Sequence, residues 1–307
     1  MSVIGIDTSN YTTSIAFFDG EVGENCSRLL PVRQGELGLR QSDAVFAHIK
    51  SLPELSNRLF SHIQKDAITA VGVSTRPRAV EGSYMPCFMV GYSHAKLLSD
   101  ALGVPLAEVS HQQGHVAASL WSAGRMDLLE KTHLAWHLSG GTTELLLVEP
   151  EGRNVKCTRI GGTTDISAGQ LIDRTGQLLE LPFPSGKHLD SLSREATGKD
   201  VFRVKCRNSE FSLSGVQNKV QQFHAASADP AETAAYALRC VAGAVYQATA
   251  QALEAYPGLS VVFSGGVASN SMLRELTATL HPVFAQPQFS TDNAMGVAVL
   301  TKRLTEE

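Results

Sequence analysis

Residues 3–18, with the sequence VIGIDTSNYTTSIAFF, decide the fold that this chain is expected to adopt. The apolar run at 3–6 predicts a buried strand, the polar stretch at 7–13 a turn, and residues 14–18 a returning strand. The turn offers oxygen atoms that could hold a hydrated cation, with a plain polar turn as the alternative. The same order of strand, small polar turn and strand recurs at residues 133–149. This internal repeat predicts two related lobes.

Strands and helices alternate along the rest of the chain. Further strands are predicted at residues 70–74, 104–109, 133–138, 145–149 and 260–263. Helices are predicted at residues 42–63 with an interruption at Pro53, at 89–102, 111–121, 168–180 and 231–256, and in a last helix ending near 304. A turn is predicted at residues 161–165 and an irregular segment at 198–214. The alternation is typical of α/β proteins and predicts an N-terminal lobe at 1–126 and a C-terminal lobe at 127–307, with the last helix able to pack on the first lobe.

Composition excludes several classes of protein. The chain has 307 residues, 43% of them hydrophobic, and a net charge of −4, so it lacks the global basic character of a strong nucleic-acid binder. The five cysteines are widely spaced without a C-x-x-C pair, which argues against a disulfide framework and favours a reducing cytoplasm. No signal peptide is expected at the N-terminus, and no apolar run approaches the roughly 18 residues of a membrane span.

A pair of histidines forms the most distinctive motif, Ser110-His111-Gln112-Gln113-Gly114-His115. Residues four apart share one face of a helix, so His111 and His115 can reach the same ion; two ordinary, partly buried histidines are the alternative. Asp292, in a polar turn before an apolar helix, is either a further ligand or an N-cap. His137, near the end of a strand, is either a fourth ligand or a hydrogen-bonded core residue. Zinc proteolysis is not expected, because Gln112 stands where the metalloprotease motif needs glutamate.

Two glycine-rich turns follow apolar runs and offer their backbone to an anion. A helix N-terminus after such a turn adds a favourable dipole, although a structural turn is an equal alternative for either one alone. The candidate residues are Ser139, Gly140, Gly141 and Thr142 in the first turn and Gly265 and Gly266 in the second. Asn270 could contact a ribose or base edge, or cap a helix. Together with the N-terminal hairpin, the turns are typical of two-lobed nucleotide binders.

These motifs, in this order, resemble the TsaD family of glycoprotease-like, threonylcarbamoyl-transferring proteins over nearly the whole chain. The resemblance is carried by the H-x-x-x-H motif, by the S-G-G-x-T-x-L turn that starts at Ser139, and by residues 211–215, 264–270 and 291–293. It implies a two-lobed actin-like ATPase (ASKHA) fold. It also implies transfer of a threonylcarbamoyl group from an adenylate to the exocyclic amine of the tRNA adenosine next to the anticodon, with release of AMP.

The resemblance assigns roles to individual residues. It implies that His111, His115 and Asp292 are catalytic metal ligands, with His137 at the position of a further ligand. The implied adenylate-binding residues are Ser139, Gly140, Gly141, Thr142, Asp173, Gly186, Asp190 and Asn270. The glycine turn at Gly265 and Gly266 is expected to belong to the same nucleotide site. The implied cofactors are one divalent metal ion, iron or zinc, and an adenine nucleotide or threonylcarbamoyl-adenylate. The implied partners are tRNA, a smaller actin-like TsaB-type protein and a P-loop ATPase of the TsaE type.

The chain also departs from the family pattern. Its N-terminal turn reads DTSNYTT where the family has ETSCDET, and residues 76–78 read RPR in place of Gly-Pro-Gly. The helix near Asp173 lacks an Asp and a Glu, and Gln217 replaces a lysine. These changes favour a diverged paralogue, with a non-catalytic nucleotide-binding regulator or a carbamoyltransferase for another acceptor as alternatives, and a sugar kinase as a weaker one. The cations that could meet tRNA phosphates, if they cluster, are Arg76, Arg78, Arg203, Lys205 and Arg207.

Overall fold

The computed structural model describes residues 1–9, 11–31 and 39–306, so Asn10 of the predicted N-terminal turn lies outside the described residues. The chain divides into two compact units. Unit 1 comprises Met1–Lys131, Glu149–Cys157 and Asp292–Glu307, and unit 2 comprises Thr132–Val148 and Thr158–Thr291.

The strands fall into two sheets. In chain order they are β1 (Ser2–Ser9), β2 (Thr12–Phe18), β3 (Gly23–Leu29), β4 (Ile68–Arg76), β5 (Leu106–Ser110), β6 (His133–Leu138), β7 (Thr143–Glu151), β8 (Asn154–Thr163), β9 (Cys206–Arg207), β10 (Glu210–Phe211), β11 (Val261–Ser264) and β12 (Val283–Phe284). Within the described residues, the sheet of unit 1 has the order β3-β2-β1-β4-β5, and the second sheet has the order β12-β11-β6-β7-β8-β10-β9.

The helices complete both units. They are α1 (Gln41–Phe60), α2 (Phe88–Leu102), α3 (His111–Ser122), α4 (Ala168–Leu178), α5 (Gly186–Ser193), α6 (Ser214–Ser227), α7 (Pro230–Ala255), α8 (Ser271–Thr277) and α9 (Met295–Thr305). Short 3-10 segments lie at Lys65–Ala67, Met126–Glu130, Gly266–Ser269, Ala278–Leu280 and Pro287–Phe289. Among the described residues, none of the helices is both long and apolar enough to cross a membrane.

The two sheets repeat one topology. In unit 1, β1 pairs antiparallel with β2 and parallel with β4, which pairs parallel with β5. In the second sheet, β6 pairs antiparallel with β7 and parallel with β11, which pairs parallel with β12. The strand–turn–strand repeat predicted from the sequence is therefore the centre of each sheet.

Each unit has its own apolar core. In unit 1 the core includes Ile4, Ile6 and Val71 on neighbouring strands. In unit 2 it includes Trp136 and Phe263, and the Trp136 indole N–H donates to the Thr249 hydroxyl at 2.8 Å, so its polar group is satisfied within the core.

Three details of the predicted elements were wrong. The interruption predicted at Pro53 is absent, and α1 (Gln41–Phe60) continues through this residue as one helix, because Pro53 is solvent-exposed and the carbonyl it leaves unbonded can be hydrated. Residues 161–163 belong to β8 and not to a turn. The glycines there allow close strand packing, since a Cβ on Gly162 would lie 2.3 Å from the Thr143 carbonyl oxygen. The segment predicted as irregular contains the short strands β9 and β10.

Candidate metal and nucleotide site

The histidine motif lies at the junction of β5 and α3 in unit 1. Ser110 ends the strand and caps the helix, since its hydroxyl accepts the Gln113 N–H at 3.3 Å while the Gln113 side chain accepts the Ser110 N–H at 2.9 Å. This capping box fixes the first turn of α3, on which His111 lies, with His115 about one turn later on the same helix. The Gln113 amide also donates to the Val155 carbonyl at 2.6 Å.

The Nε2 atoms of both imidazoles converge on the carboxylate of Asp292. His111 Nε2 lies 2.9 Å from His115 Nε2, and Asp292 Oδ1 lies 3.2 Å from His115 Nε2 and 3.6 Å from His111 Nε2. The His115 side chain is 5% exposed and that of His111 17%, so water has little access to the nitrogens. Within the described residues, His111, His115 and Asp292 form a group whose ligand atoms all lie within 4.8 Å of one another.

A second carboxylate orients His111. The imidazole Nδ1–H donates to Asp7 Oδ2 at 2.8 Å, and Asp7 is 1% exposed. Because an ionised carboxylate only accepts, Nδ1 carries a proton, so Nε2 is the nitrogen that faces His115 and Asp292 and can exchange its proton for a metal ion. The Ser9 N–H donates to the other Asp7 oxygen at 2.9 Å and fixes the carboxylate. A histidine backed by a carboxylate is the usual arrangement around a bound metal.

The electrostatics of this group favour a cation. Burial lowers the pKa of His111, but the carboxylates of Asp7 and Asp292 outweigh it and raise that pKa to about 10. Burial raises the pKa of Asp292, and the two histidines more than reverse this, so its pKa lies well below the ordinary value. The pKa of Asp7 is lowered in the same way, with His111 overcoming the effect of burial. The site thus attracts either a proton or a metal ion.

The residues fit a divalent metal ion. Ligand atoms bound at about 2.0–2.2 Å to one ion lie roughly 2.8–3.6 Å from one another in tetrahedral or octahedral geometry. The three separations here, 2.9, 3.2 and 3.6 Å, fall in that range. Two imidazoles and one carboxylate suit zinc, iron or manganese.

Close helix packing brings Asp292 to the histidines. A Cβ on Gly296 would lie 1.8 Å from the Gly114 carbonyl oxygen, so α9 approaches α3 at a distance that only glycine permits. Asp292 is not the N-cap of α9, which is Ala294. The turn is held instead by Asn25, whose side chain accepts the Ala294 N–H at 3.0 Å. Asp292 is therefore available to the histidine pair.

His137 belongs to unit 2. It lies on β6, opposite Ser264 of β11 and Glu144 of β7. Its part in metal binding stays a prediction.

Both glycine-rich turns lie at the same edge of the second sheet. Since β6 and β11 are parallel neighbours, with His137 opposite Ser264, the turns that follow them start side by side. A Cβ on Gly265 would lie 2.1 Å from the Leu138 carbonyl oxygen, and its φ is 92°. Gly140 and Gly141 are exposed, with open space where a Cβ would be. Their backbone can therefore approach a ligand closely.

The Ser139 turn is closed by its own side chain and by α4. Thr142 donates its N–H to the Ser139 hydroxyl at 3.1 Å, and the Ser167 hydroxyl, which caps α4, donates to the Gly140 carbonyl at 2.6 Å. On α4, Asp173 accepts the Ser185 N–H at 2.9 Å, directly before Gly186 at the start of α5. Burial raises the pKa of Asp173, and the hydrogen bond from Ser185 only partly offsets this.

Asp190 and Asn270 contact each other. Asp190 Oδ1 accepts hydrogen bonds from the Asn270 amide at 2.7 Å, the Ser271 N–H at 2.9 Å and the Ser271 hydroxyl at 2.8 Å. Asn270 also caps α8 through the Leu273 N–H at 3.0 Å. The helix-capping alternative for Asn270 is therefore realised, and both residues brace α5 against α8 beside the glycine turns. Their contact with a nucleotide stays a prediction.

Sequence reasoning missed the residues that support the site. Asp7 was expected to take part in a cation-binding turn. It instead accepts a hydrogen bond from His111, which lies 104 positions later in the chain. The start of α3 was predicted at His111, and the Ser110-x-x-Gln113 spacing is the capping-box signal that explains it. Asp165 was missed as well. It accepts the Leu213 N–H at 2.8 Å and the Ser214 hydroxyl at 2.6 Å and so holds the start of α6.

Solved structures share this fold at low sequence identity. Full-length HypF in its phosphate- and nucleotide-bound form matches 100% of this chain and 47% of its own, with a TM-score of 0.65 and 14% identity. A ROK family glucokinase from Streptomyces griseus, in complex with glucose and AMPPNP, matches 99% of this chain and 100% of its own, with a TM-score of 0.56 and 13% identity. The duplicated α/β fold of the actin-like ATPases is thereby confirmed.

Sequence relatives are more specific. The tRNA N6-adenosine threonylcarbamoyltransferase of Carboxydothermus hydrogenoformans is 30% identical over 96% of this chain and 90% of its own length. The protein of that name from Thermosipho africanus is 29% identical over 99% and 94%. The family model TsaD, tRNA N6-adenosine threonylcarbamoyltransferase, matches residues 37–299. This chain therefore belongs to the TsaD family.

Proposed function

We propose that this protein transfers a threonylcarbamoyl group from threonylcarbamoyl-adenylate to the exocyclic amine of the tRNA adenosine next to the anticodon. The observation that carries the proposal is the convergence of His111, His115 and Asp292, backed by Asp7, in a member of this family. A fold whose neighbours include nucleotide-bound proteins fits an adenylate as the donor.

In the proposed reaction the amine nitrogen attacks the carbamoyl carbon. The bond from that carbon to the phosphate oxygen breaks, AMP leaves with the bonding electrons, and the amine loses one proton. A divalent ion held by His111, His115 and Asp292 would supply Lewis-acid polarisation of the donor's oxygens. Asp7 keeps the His111 tautomer that exposes the Nε2 lone pair.

The glycine turns of unit 2 are proposed to hold the leaving group. Exposed backbone at Gly140 and Gly141 would bind phosphate oxygens, and the Ser167 cap keeps the turn in place. Asp173, Gly186, Asp190 and Asn270 are proposed to lie around the nucleoside. The ordering of this turn before ligand arrives would reduce the entropy lost on binding.

Metal identity and partners belong to the same proposal. Iron or zinc is proposed as the ion, because the ligands are two imidazoles and one carboxylate, with His137 as a proposed fourth ligand. A smaller actin-like protein of the TsaB type and a P-loop ATPase of the TsaE type are proposed as partners. Failure of either to co-purify at low salt would count against them.

The test joins metal content to transfer. Native protein is expected to hold about one ion per chain and to form N6-threonylcarbamoyladenosine in tRNA when supplied with the adenylate and the partners. His111→Ala/His115→Ala is expected to lose the ion and the product. His62→Ala removes an exposed histidine of unit 1 and serves as the matched control. Product formation by the metal-free double variant would overturn the proposed role of the ion.

A non-catalytic, nucleotide-binding role is the second candidate. It is favoured by Tyr11 and Thr12, which stand where the family pattern has an acidic pair, and Thr12 is 8% exposed within the β1–β2 pairing. Native protein that binds metal and the adenylate, yet forms no product with any tRNA in the presence of the partners, would assign this role instead.

A further inference from the structure

Exposed cations lie on a segment of unit 2 that the proposed site does not use. Arg203, Lys205 and Arg207 are exposed and alternate with buried Val204 and half-buried Cys206. Only Cys206 and Arg207 form a strand, β9, but the alternation of exposed and buried residues places the three cations on the same side of the segment. The three cations, here called the basic stripe, therefore form one outward-facing row.

Side chains of α7 hold this segment in place. Glu232 and Arg239 bond to the backbone of residues 197–200 at 2.5–3.2 Å. Gln251 bonds to the backbone of residues 206 and 209 at 3.1 and 2.9 Å. The contacts on α7 are spread over about 28 Å of helix, so the segment runs along it. A row fixed in this way loses little backbone entropy when it binds a partner.

The charge of the stripe is not neutralised within its unit. Among the described residues, none of Arg203, Lys205 and Arg207 forms an ion pair. Glu210, which lies opposite Arg207 in the β9–β10 hairpin, is paired with Arg159 at 2.8 Å instead. Lys219 of α6 adds a further exposed cation beside the segment, with its ammonium 6.0 Å from the centre of the Phe202 ring.

We infer that the basic stripe binds the phosphate backbone of tRNA. The three cations follow one another on the exposed side of the segment, and guanidinium and ammonium groups are the usual phosphate ligands. Because the chain as a whole carries a net charge of −4, attraction for RNA has to come from a local surface such as this one. The inference rests on the proposed function for the choice of tRNA, but it needs neither metal nor adenylate.

The test is the salt dependence of tRNA binding by the full chain, followed by fluorescence anisotropy. Removing three phosphate contacts with Arg203→Gln/Lys205→Gln/Arg207→Gln is expected to lower the slope of log K against log[salt] by about 2 to 3 and to weaken binding about tenfold or more. The matched control, Lys50→Gln/Arg58→Gln/Lys65→Gln, makes the same charge change at exposed positions of unit 1 and should leave the slope nearly unchanged.

Three outcomes would overturn the inference. They are an unchanged slope in the stripe variant, equal losses in both variants, and native protein that binds no tRNA at low salt. Displacement of tRNA by poly-glutamate at lower concentrations than by unlabelled tRNA would assign the stripe to an acidic protein partner. The proposed function fails separately, through absence of product. A native chain that binds tRNA through the stripe without modifying it would uphold this inference alone.

Discussion

At the scale of single residues, the site depends on a side chain that does not reach the proposed ion. Asp7 keeps a proton on Nδ1 of His111 and thereby leaves Nε2 as the nitrogen that can bind a metal. The carboxylate is buried, and the neighbouring His111 lowers its pKa in spite of that burial. Its contribution is therefore to orient His111 and to increase its basicity, and both can be measured as metal affinity.

Asp7→Asn is expected to weaken metal binding about 10- to 100-fold without abolishing it. The amide oxygen can still accept the Nδ1–H, so the orientation is partly kept while the negative charge is lost. Affinity is measured by competition with a chromophoric chelator. Asp66→Asn, at an exposed position of unit 1, is the control and should bind metal as the native protein does. If Asp7→Asn and native protein bind metal with equal affinity, Asp7 has no part in metal binding.

The titration of His111 predicts how metal-free protein responds to pH. Its pKa is raised from 6.5 to about 10 in the folded state, so the folded state binds the proton more tightly than the unfolded state. The stabilisation is complete below pH 6.5 and is lost as the pH rises through about 10. The free energy of unfolding in urea with chelator present should fall over this range. His111→Gln should flatten the fall, and an equal fall in that variant would contradict the assignment.

At the scale of elements, α9 is positioned by contacts that leave no room for a side chain. Gly296 meets the Gly114 carbonyl of α3, and a Cβ on Gly5 of β1 would lie 2.6 Å from the Ala298 nitrogen. Since Asp292 lies just before α9, its position relative to the histidines follows from this packing.

Gly296→Ala is expected to destabilise unit 1 by about 1–3 kcal/mol and to weaken metal binding, because α9 must move away from α3 and take Asp292 with it. Thermal unfolding and metal titration are measured together. Gly243→Ala places the same methyl group in the interior of α7, where nothing lies within 4 Å, and should raise stability by up to about 1 kcal/mol. If Gly296→Ala binds metal as tightly as the native protein does, the packing of α9 on α3 is not what positions Asp292.

Elements with a clear local sequence pattern were predicted, and those without one were missed. The β1–β2 and β6–β7 hairpins were predicted because each has a polar turn between apolar runs. The strand β3 was missed because its residues, GENCSRL, are mostly polar and its second half is exposed. The spacing of His111 and His115 predicted a shared helix face, and that is where they lie. The contacts of Asp7 and Gly296 join positions far apart in the chain, and no local pattern encodes such contacts.

At the scale of the whole molecule, the residues proposed to bind the metal ion and those proposed to bind the nucleotide phosphates belong mainly to different units. His111, His115 and Asp292 belong to unit 1, and the glycine turns belong to unit 2. Each unit has its own core, so a substitution on the surface of one should leave ligand binding by the other intact. The two binding activities are thus expected to be separable by mutation, although the proposed transfer requires both.

Gly140→Ala/Gly141→Ala tests this separation. Added methyl groups meet no atoms within 4 Å, so the fold should be kept, but they would occupy the space through which a phosphate approaches the backbone. Affinity for an adenylate analogue should fall about tenfold or more, while metal content stays at the native level and transfer is lost. His111→Ala/His115→Ala should give the converse, with metal lost and binding of plain adenine nucleotide retained. If the glycine variant binds the analogue as tightly as native protein does, the turn is structural and the nucleotide must be held elsewhere.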